Sequence, residues 1–295
     1  MPKYFPNGTR VPSQVGDIDD AYRRMNVANV DVSGNRAMVI SEIENIGLNA
    51  VIHRLDTISC KHSIATGGAG AAFMWLALNT FTVDCEERHD RLFQDITFSD
   101  TAMLFAMHDI GKSYIPKEII DKPGVLSKEE REKMKVHSIL GELENAALFH
   151  QTRYDWFKCF VGMIAEYHHS PATLGNPDCP FVVHIATLAD ILDALGSDRS
   201  YRSALPSNEI KEHLDKKIRE KYLDEILANE VLYRNWDFVE KLLAIRAGLG
   251  DLTIEAAKKY FDLVENITVE RLLLLEKDHK KVYGCPRAPD YVRTC

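Results

Sequence analysis

Helix boundaries punctuate this chain at short intervals, and they constrain its fold more than any other feature. Ser99 offers an N-cap and Gly111 a C-terminal stop, so a helix is expected over 99–111 with His108 and Asp109 in its last turn. Ser127-Lys-Glu-Glu130 has the reciprocal spacing of a capping box, with a Pro123-Gly124 turn just before it; the helix it opens is expected over 128–149 and carries His137 in its interior. A third segment, 154–168, is rich in Trp, Phe, Met and Ile and ends at His168-His169, with Pro171 stopping it. Residues 182–195 make a fourth, closed by Gly196, with Asp190 and Asp193 three apart. An earlier helix is expected over about 48–80 and contains His62. Ser207 would cap a helix running to about 228, and amphipathic helices follow over 235–247 and 253–278. The expected fold is all-α: a helical bundle with additional N-terminal and C-terminal helices.

Composition narrows the function classes. With 295 residues, 45% of them hydrophobic and 27% charged, the chain can build a core without staples. A formal net charge of -8 argues against binding a nucleic-acid polymer, which calls for a basic stripe. It leaves room for a small anionic substrate, because a metal or a few Arg residues reverse the local field. The six cysteines, at 60, 85, 159, 179, 285 and 295, form no C-x-x-C pair and suit reduced thiols in the cytosol. The opening MPKYFPNGTRVPSQVGD lacks the apolar stretch of a signal peptide, and apolar runs such as Ala71–Leu78 fall short of a membrane span. A cytoplasmic protein with no membrane contact is expected.

His62, His108, Asp109, His137, His168, His169 and Asp190 each fall on or beside an expected helix. Imidazole and carboxylate suit Fe, Mn, Zn and related metals. Helical bundles build such sites from side chains pointing inward off facing helices. Five His and two Asp exceed the needs of one tetrahedral zinc and are enough for two metals sharing one carboxylate, a common device for phosphoester hydrolysis. Asp193 is read as a hydrogen-bonding support for a ligand. The remaining histidines, among them His184 and His213, belong to no such pattern. Taken alone, Lys112 would be a helix-dipole partner, and Arg199 and Arg202 surface residues after a helix end.

Over roughly residues 53–215 the chain resembles the HD superfamily of metal-dependent phosphohydrolases, and specifically its HD-GYP group. The stretches KHS around His62, HDIGK, IPKEIIDKPGVLSKEEREKMKVH, EYHH and LADILDALGSDRSYR fall in family order, and KPGVLSKEE and DALGSDRSYR are more specific to HD-GYP proteins than the HD pair alone. The resemblance implies an HD-domain helical bundle over 48–228, an N-terminal region over 1–47 and C-terminal helices over 229–295 that pack on the core or mediate a homodimer. It implies a phosphodiesterase acting on a cyclic dinucleotide, chiefly cyclic di-GMP, with two divalent metal ions, Fe or Mn. By the same resemblance His62, His108, Asp109 and Asp190 hold one metal, and Asp109 bridges to a second completed by His137, His168 and His169. Lys112, Arg199 and Arg202 would bind substrate phosphate, with Lys112 and Asp109 the catalytic pair.

The chain departs from the family pattern in the signature loop, which reads HHSPATLGNPDCP. Ser170 stands where the family has Glu, the segment is shorter, and the Gly-Tyr-Pro is reduced to an echo in Gly175-Asn176-Pro177. Ile58 stands where some members carry a Glu that binds a third metal, so two metals are expected. Three other classes fit parts of the pattern: an HD phosphohydrolase for another nucleotide, a metal-bound receptor that turns nothing over, and a di-iron oxidoreductase.

Overall fold

The structure is a computed structural model, and it describes residues 60–81, 98–148, 155–170, 179, 181–198, 202–250 and 253–279. Among the described residues there is no β-strand. In chain order come α1 (Cys60–Phe81), α2 (Phe98–Ala106), a 3-10 segment (Met107–Tyr114), α3 (Lys117–Ile120), α4 (Lys128–Lys135), α5 (His137–Leu148), α6 (Asp155–Tyr167), α7 (Phe181–Gly196) and α8 (Ser207–Arg219). A single turn, Glu225–Leu227, then passes through a π-helical stretch (Ala228–Leu232) and a 3-10 turn (Tyr233–Asn235) into α9 (Trp236–Ala247), and α10 (Ile254–His279) follows.

α1 is the central element because its sequence is apolar all round. It packs against α2, α7 and α10. Its run of small residues admits these neighbours closely. A Cβ at Gly67 would stand 2.6 Å from the Ala102 carbonyl oxygen, so α2 lies nearer than alanine permits. The core is continuous from α1 through the C-terminal helices: Phe73, Phe105, Val183, Val231, Phe238 and Phe261 belong to one buried cluster. Burying each such phenylalanine contributes on the order of 1.5–3 kcal/mol. A smaller cluster of Ile115, Ile119, Val136 and Leu140 sits under α3 and α4.

Several expected boundaries move, each for a local reason. The helix that Ser99 was expected to open ends at Ala106 and tightens into the 3-10 segment, so Gly111 terminates nothing. Gly111 is required by packing instead: a Cβ there would run into the His137 carbonyl oxygen and the Gly141 amide of α5. The capping box forms as read, with Glu130 N donating to Ser127 Oγ at 3.2 Å and Ser127 N donating to Glu130 Oε2 at 2.6 Å. The helix it opens breaks at Val136, however. α4 buries no side chain, whereas Val136 and His137 are buried, and the break turns α5 into the core. His137 therefore begins a helix rather than sitting inside one. The helix expected to run to 228 stops at Arg219, where Lys221 takes a left-handed φ of 56° and Tyr222 N closes on the Lys217 carbonyl at 2.9 Å. Pro206 is its cap, and Ser207 Oγ donates instead to Glu240 Oε1 at 2.7 Å.

Candidate metal centre

Five pieces of chain bring six of the seven expected ligands together as buried groups, with His169 at the rim. α1 supplies His62, the 3-10 segment His108 and Asp109, the start of α5 His137, the end of α6 His168 and His169, and α7 Asp190. Ligand atoms of His62, His108 and Asp109 lie within 4.8 Å of one another, and so do those of Asp109, His137, His168 and His169. Asp109 is common to both sets, and its two oxygens face different partners. Oδ2 lies 3.2 Å from His108 Nε2 and 3.5 Å from His62 Nε2, while Oδ1 lies 3.3 Å from His137 Nε2 and 3.7 Å from His168 Nε2. Asp190 joins through Oδ1, 2.9 Å from His62 Nε2, and through Oδ2, 3.8 Å from His169 Nδ1.

The histidines are held in one tautomer. His108 Nδ1 donates to the Phe105 carbonyl at 2.9 Å, His137 Nδ1 to Met134 at 2.6 Å, and His168 Nδ1 to Ile164 and Ala165 at 2.9 and 3.0 Å. A carbonyl only accepts, so each Nδ1 carries the proton and each Nε2 keeps its lone pair. Those three Nε2 atoms and Asp109 Oδ1 are buried without a hydrogen-bond partner. Orphaned buried polar atoms are costly. Gathered around one carboxylate, these four atoms fit a metal centre. His62 is held differently: its Nδ1 lies 2.6 Å from Asp193 Oδ2, and Arg246 Nε of α9 donates to Asp193 Oδ1 at 2.8 Å.

The electrostatics agree. Burial pushes the His137 and His168 imidazoles down, against the pull of Asp109, which keeps them neutral as ligands must be. Burial and then the adjacent His168 push His169 down too, and water reaching its 45% exposed side chain offsets part of that push. Burial also works on His62, but hydrogen bonds to Asp190 and Asp193 outweigh it and raise its pKa. Burial alone would raise the Asp109 and Asp190 carboxyls. The Lys112 ammonium and His108 hold Asp109 well below its usual range, and His62 and His169 do the same for Asp190.

Beside the cluster opens a cavity of about 760 Å³, lined by His62, Asp109, Lys112, Lys122, Arg131 and Arg246 together with Ile119, Ile120, Val125, Leu126 and Met134. This is the size range of small-ligand sites. Lys112 reaches it while its Nζ pairs with Asp109 Oδ2. Arg202 does not line it. Its Nη2 donates to the Ala194 carbonyl at 2.6 Å and its Nη1 to Leu195 and Ser203 at 3.1 and 2.9 Å, closing the C-terminus of α7. Arg199, Ile58 and Gly175-Asn176-Pro177 lie outside the described residues, as does the 1–47 region. The sequence reading missed Arg246, whose only local signal, a basic residue in a last helical turn, is the ordinary sign of a dipole partner.

Residues 91–195, which carry every expected ligand except His62, match the HD domain family. The match covers about a third of the chain and makes that stretch similar to HD domains. His62 precedes the matched stretch, and α1 carries it into the site. The similar proteins are consistent in kind. A protein named "3'3'-cGAMP-specific phosphodiesterase 2" from Vibrio cholerae is 29% identical over 151 residues, 49% of this chain and 27% of the relative. A "Cyclic di-GMP phosphodiesterase" from the same organism is 33% identical over 112 residues, 36% of this chain and 23% of the relative. Another of that name from Thermotoga maritima is 31% identical over 132 residues, 41% of this chain and 33% of the relative. The alignments thus span between a quarter and a third of these relatives, or slightly less. No helix among the described residues is long and apolar enough to cross a membrane.

Proposed function

We propose that this HD domain holds two divalent metal ions, Fe or Mn, and hydrolyses a phosphodiester bond of a cyclic dinucleotide, cyclic di-GMP first, to the linear dinucleotide pGpG and then GMP. The observation that carries the reading is the shared carboxylate: Asp109 faces two histidine sets through two different oxygens. His62, His108 and Asp190 would hold one ion, and His137, His168 and His169 the other. Asp109 would bind both. Such a pair, when bound, supplies a water acidic enough to act near neutral pH and positive charge against the transition state.

The chain's own groups do the rest. Backbone carbonyls lock the tautomers of His108, His137 and His168, so these rings need no reorganisation when substrate arrives. Lys112, at the cavity wall, takes a non-bridging phosphate oxygen and offsets the charge that grows there. The apolar wall of Ile119, Ile120, Val125 and Leu126 accepts a base face and keeps bulk water from the reacting phosphate. Arg199 remains a phosphate clamp in this proposal, whereas Arg202 acts by closing α7.

The 29% identical relative named for 3'3'-cGAMP motivates a mixed cyclic dinucleotide as the second substrate. The test is to purify the protein without oxygen, load it with Fe(II) or Mn(II), and follow cyclic di-GMP and 3'3'-cGAMP by chromatography. Linear product that requires both metal and intact Asp109 supports the reading. No product from protein holding two metals overturns the hydrolase and leaves a receptor. Oxygen consumption with a small polyol would point to an oxidoreductase.

A further inference from the structure

Arg246 enters the cavity from the C-terminal helices, and nothing in the catalytic reading above uses it. Its side chain is 17% exposed, and it lines the same cavity as His62 and Lys112. One edge of the guanidinium is committed: Nε donates to Asp193 Oδ1 at 2.8 Å, while Asp193 Oδ2 receives His62 Nδ1 at 2.6 Å. The other edge is open, since Nη1 and Nη2 make no hydrogen bond or ion pair with any described residue. Arg202 shows the opposite arrangement, with both Nη atoms spent on the carbonyls that end α7. An arginine with one edge fixed by a buried carboxylate and a free fork facing a cavity is arranged for a phosphate oxygen pair.

We infer that Arg246 serves the site with both edges: through Asp193 it positions His62 for metal, and with its Nη fork it binds a phosphate oxygen of the substrate. The inference rests on the binuclear reading above, and it ties the C-terminal helices to catalysis. Asp193 alone still accepts from His62 when Arg246 is removed, but it then swings or takes up water in place of Nε. The imidazole loses its fixed aim, as happens when an outer partner of a metal ligand is lost.

The experiment measures Mn(II) binding by titration calorimetry, and then inorganic phosphate binding to the Mn(II)-loaded protein, for wild type, Arg246→Gln and Arg246→Lys. Circular dichroism and melting on each confirm the fold. Arg246→Gln is expected to weaken one of the two Mn(II) sites about 10-fold or more and to leave the other unchanged. It is expected to weaken phosphate about 10-fold or more through loss of a charged donor pair. Arg246→Lys should recover part of the phosphate binding, since it restores charge, but not the Mn(II) site, since a lysine cannot face both groups at once. Wild-type constants for both ligands in a folded Arg246→Gln protein would overturn the inference, and a change in Mn(II) alone would overturn its phosphate half. These readings need no turnover. If wild-type protein hydrolyses no cyclic dinucleotide while Mn(II) and phosphate still depend on Arg246, the substrate assignment fails and Arg246 keeps its role.

Discussion

The two halves of the cluster are built by different means. On the side of His137 and His168, each ring is aimed by a backbone carbonyl three or four residues earlier in its own chain segment, and so is His108 in the other half. On the side of His62, the ring is aimed by Asp193 from α7, which is held in turn by Arg246 from α9. The first kind of support comes with the fold and no single side-chain change removes it. The second depends on two charged side chains brought from distant sequence, and it is open to mutation and to pH. Asp109 joins the halves, so it is the residue through which they fail together.

The largest expected effect is therefore at the junction. Asp109→Ala removes the shared ligand, and both metals and all turnover should be lost, read by elemental analysis and product chromatography. Lys112→Ala comes next. It should leave metal content near wild type and lower kcat by about 10²–10³-fold, the usual result of removing one preorganised donor at a developing charge. A loss of metal in that variant would show Lys112 to be structural rather than catalytic.

Asp193→Ala tests the contrast between the halves directly. The site of His62, His108 and Asp190 should weaken by about 10–100-fold while that of His137, His168 and His169 keeps its affinity. Equal weakening of both would mean that the halves are not independent. Acidification should separate them in the same order. The His62 pKa is raised above 6.5, so protons compete for its Nε2 from a higher pH, whereas His137 and His168 are lowered and keep their lone pairs further into acid. As pH falls through 6.5 the metal beside His62 should leave first, followed by Mn(II) electron paramagnetic resonance. The sign for the protein without metal is the reverse: the His62 ion pairs stabilise it below 6.5 and are lost as pH rises through the raised value. The smallest change is Gly111→Ala, which forces the 3-10 segment off α5. It should cost about 1–3 kcal/mol in denaturant unfolding and loosen the His137 side of the cluster more than the His62 side.

Much of this was legible in the sequence because it is local. The capping box at Ser127, the Gly196 stop and the helices near 155–167 and 236–247 follow from residues within a turn of each boundary. The membership of the buried His/Asp cluster was also legible, since five His and two Asp in family order carry their own pattern. What escaped is non-local. The break at Val136 follows from which side chains meet the core, and the stop at Lys221 uses a left-handed residue that is not glycine. Gly111 looked like a helix end because that is glycine's common use; its reason is the His137 carbonyl, 26 positions on. Arg202 and Arg246 are the sharpest pair. The arginine with the motif position is spent on a helix end, and one with no motif position reaches the cavity.

The most direct test of the central claim is metal counting. Wild-type protein, loaded without oxygen and freed of excess ion, should hold two equivalents of Fe or Mn, and Asp109→Ala should hold none. Two equivalents retained in Asp109→Ala, or a wild-type protein that never binds more than one, would contradict a carboxylate shared between two metals.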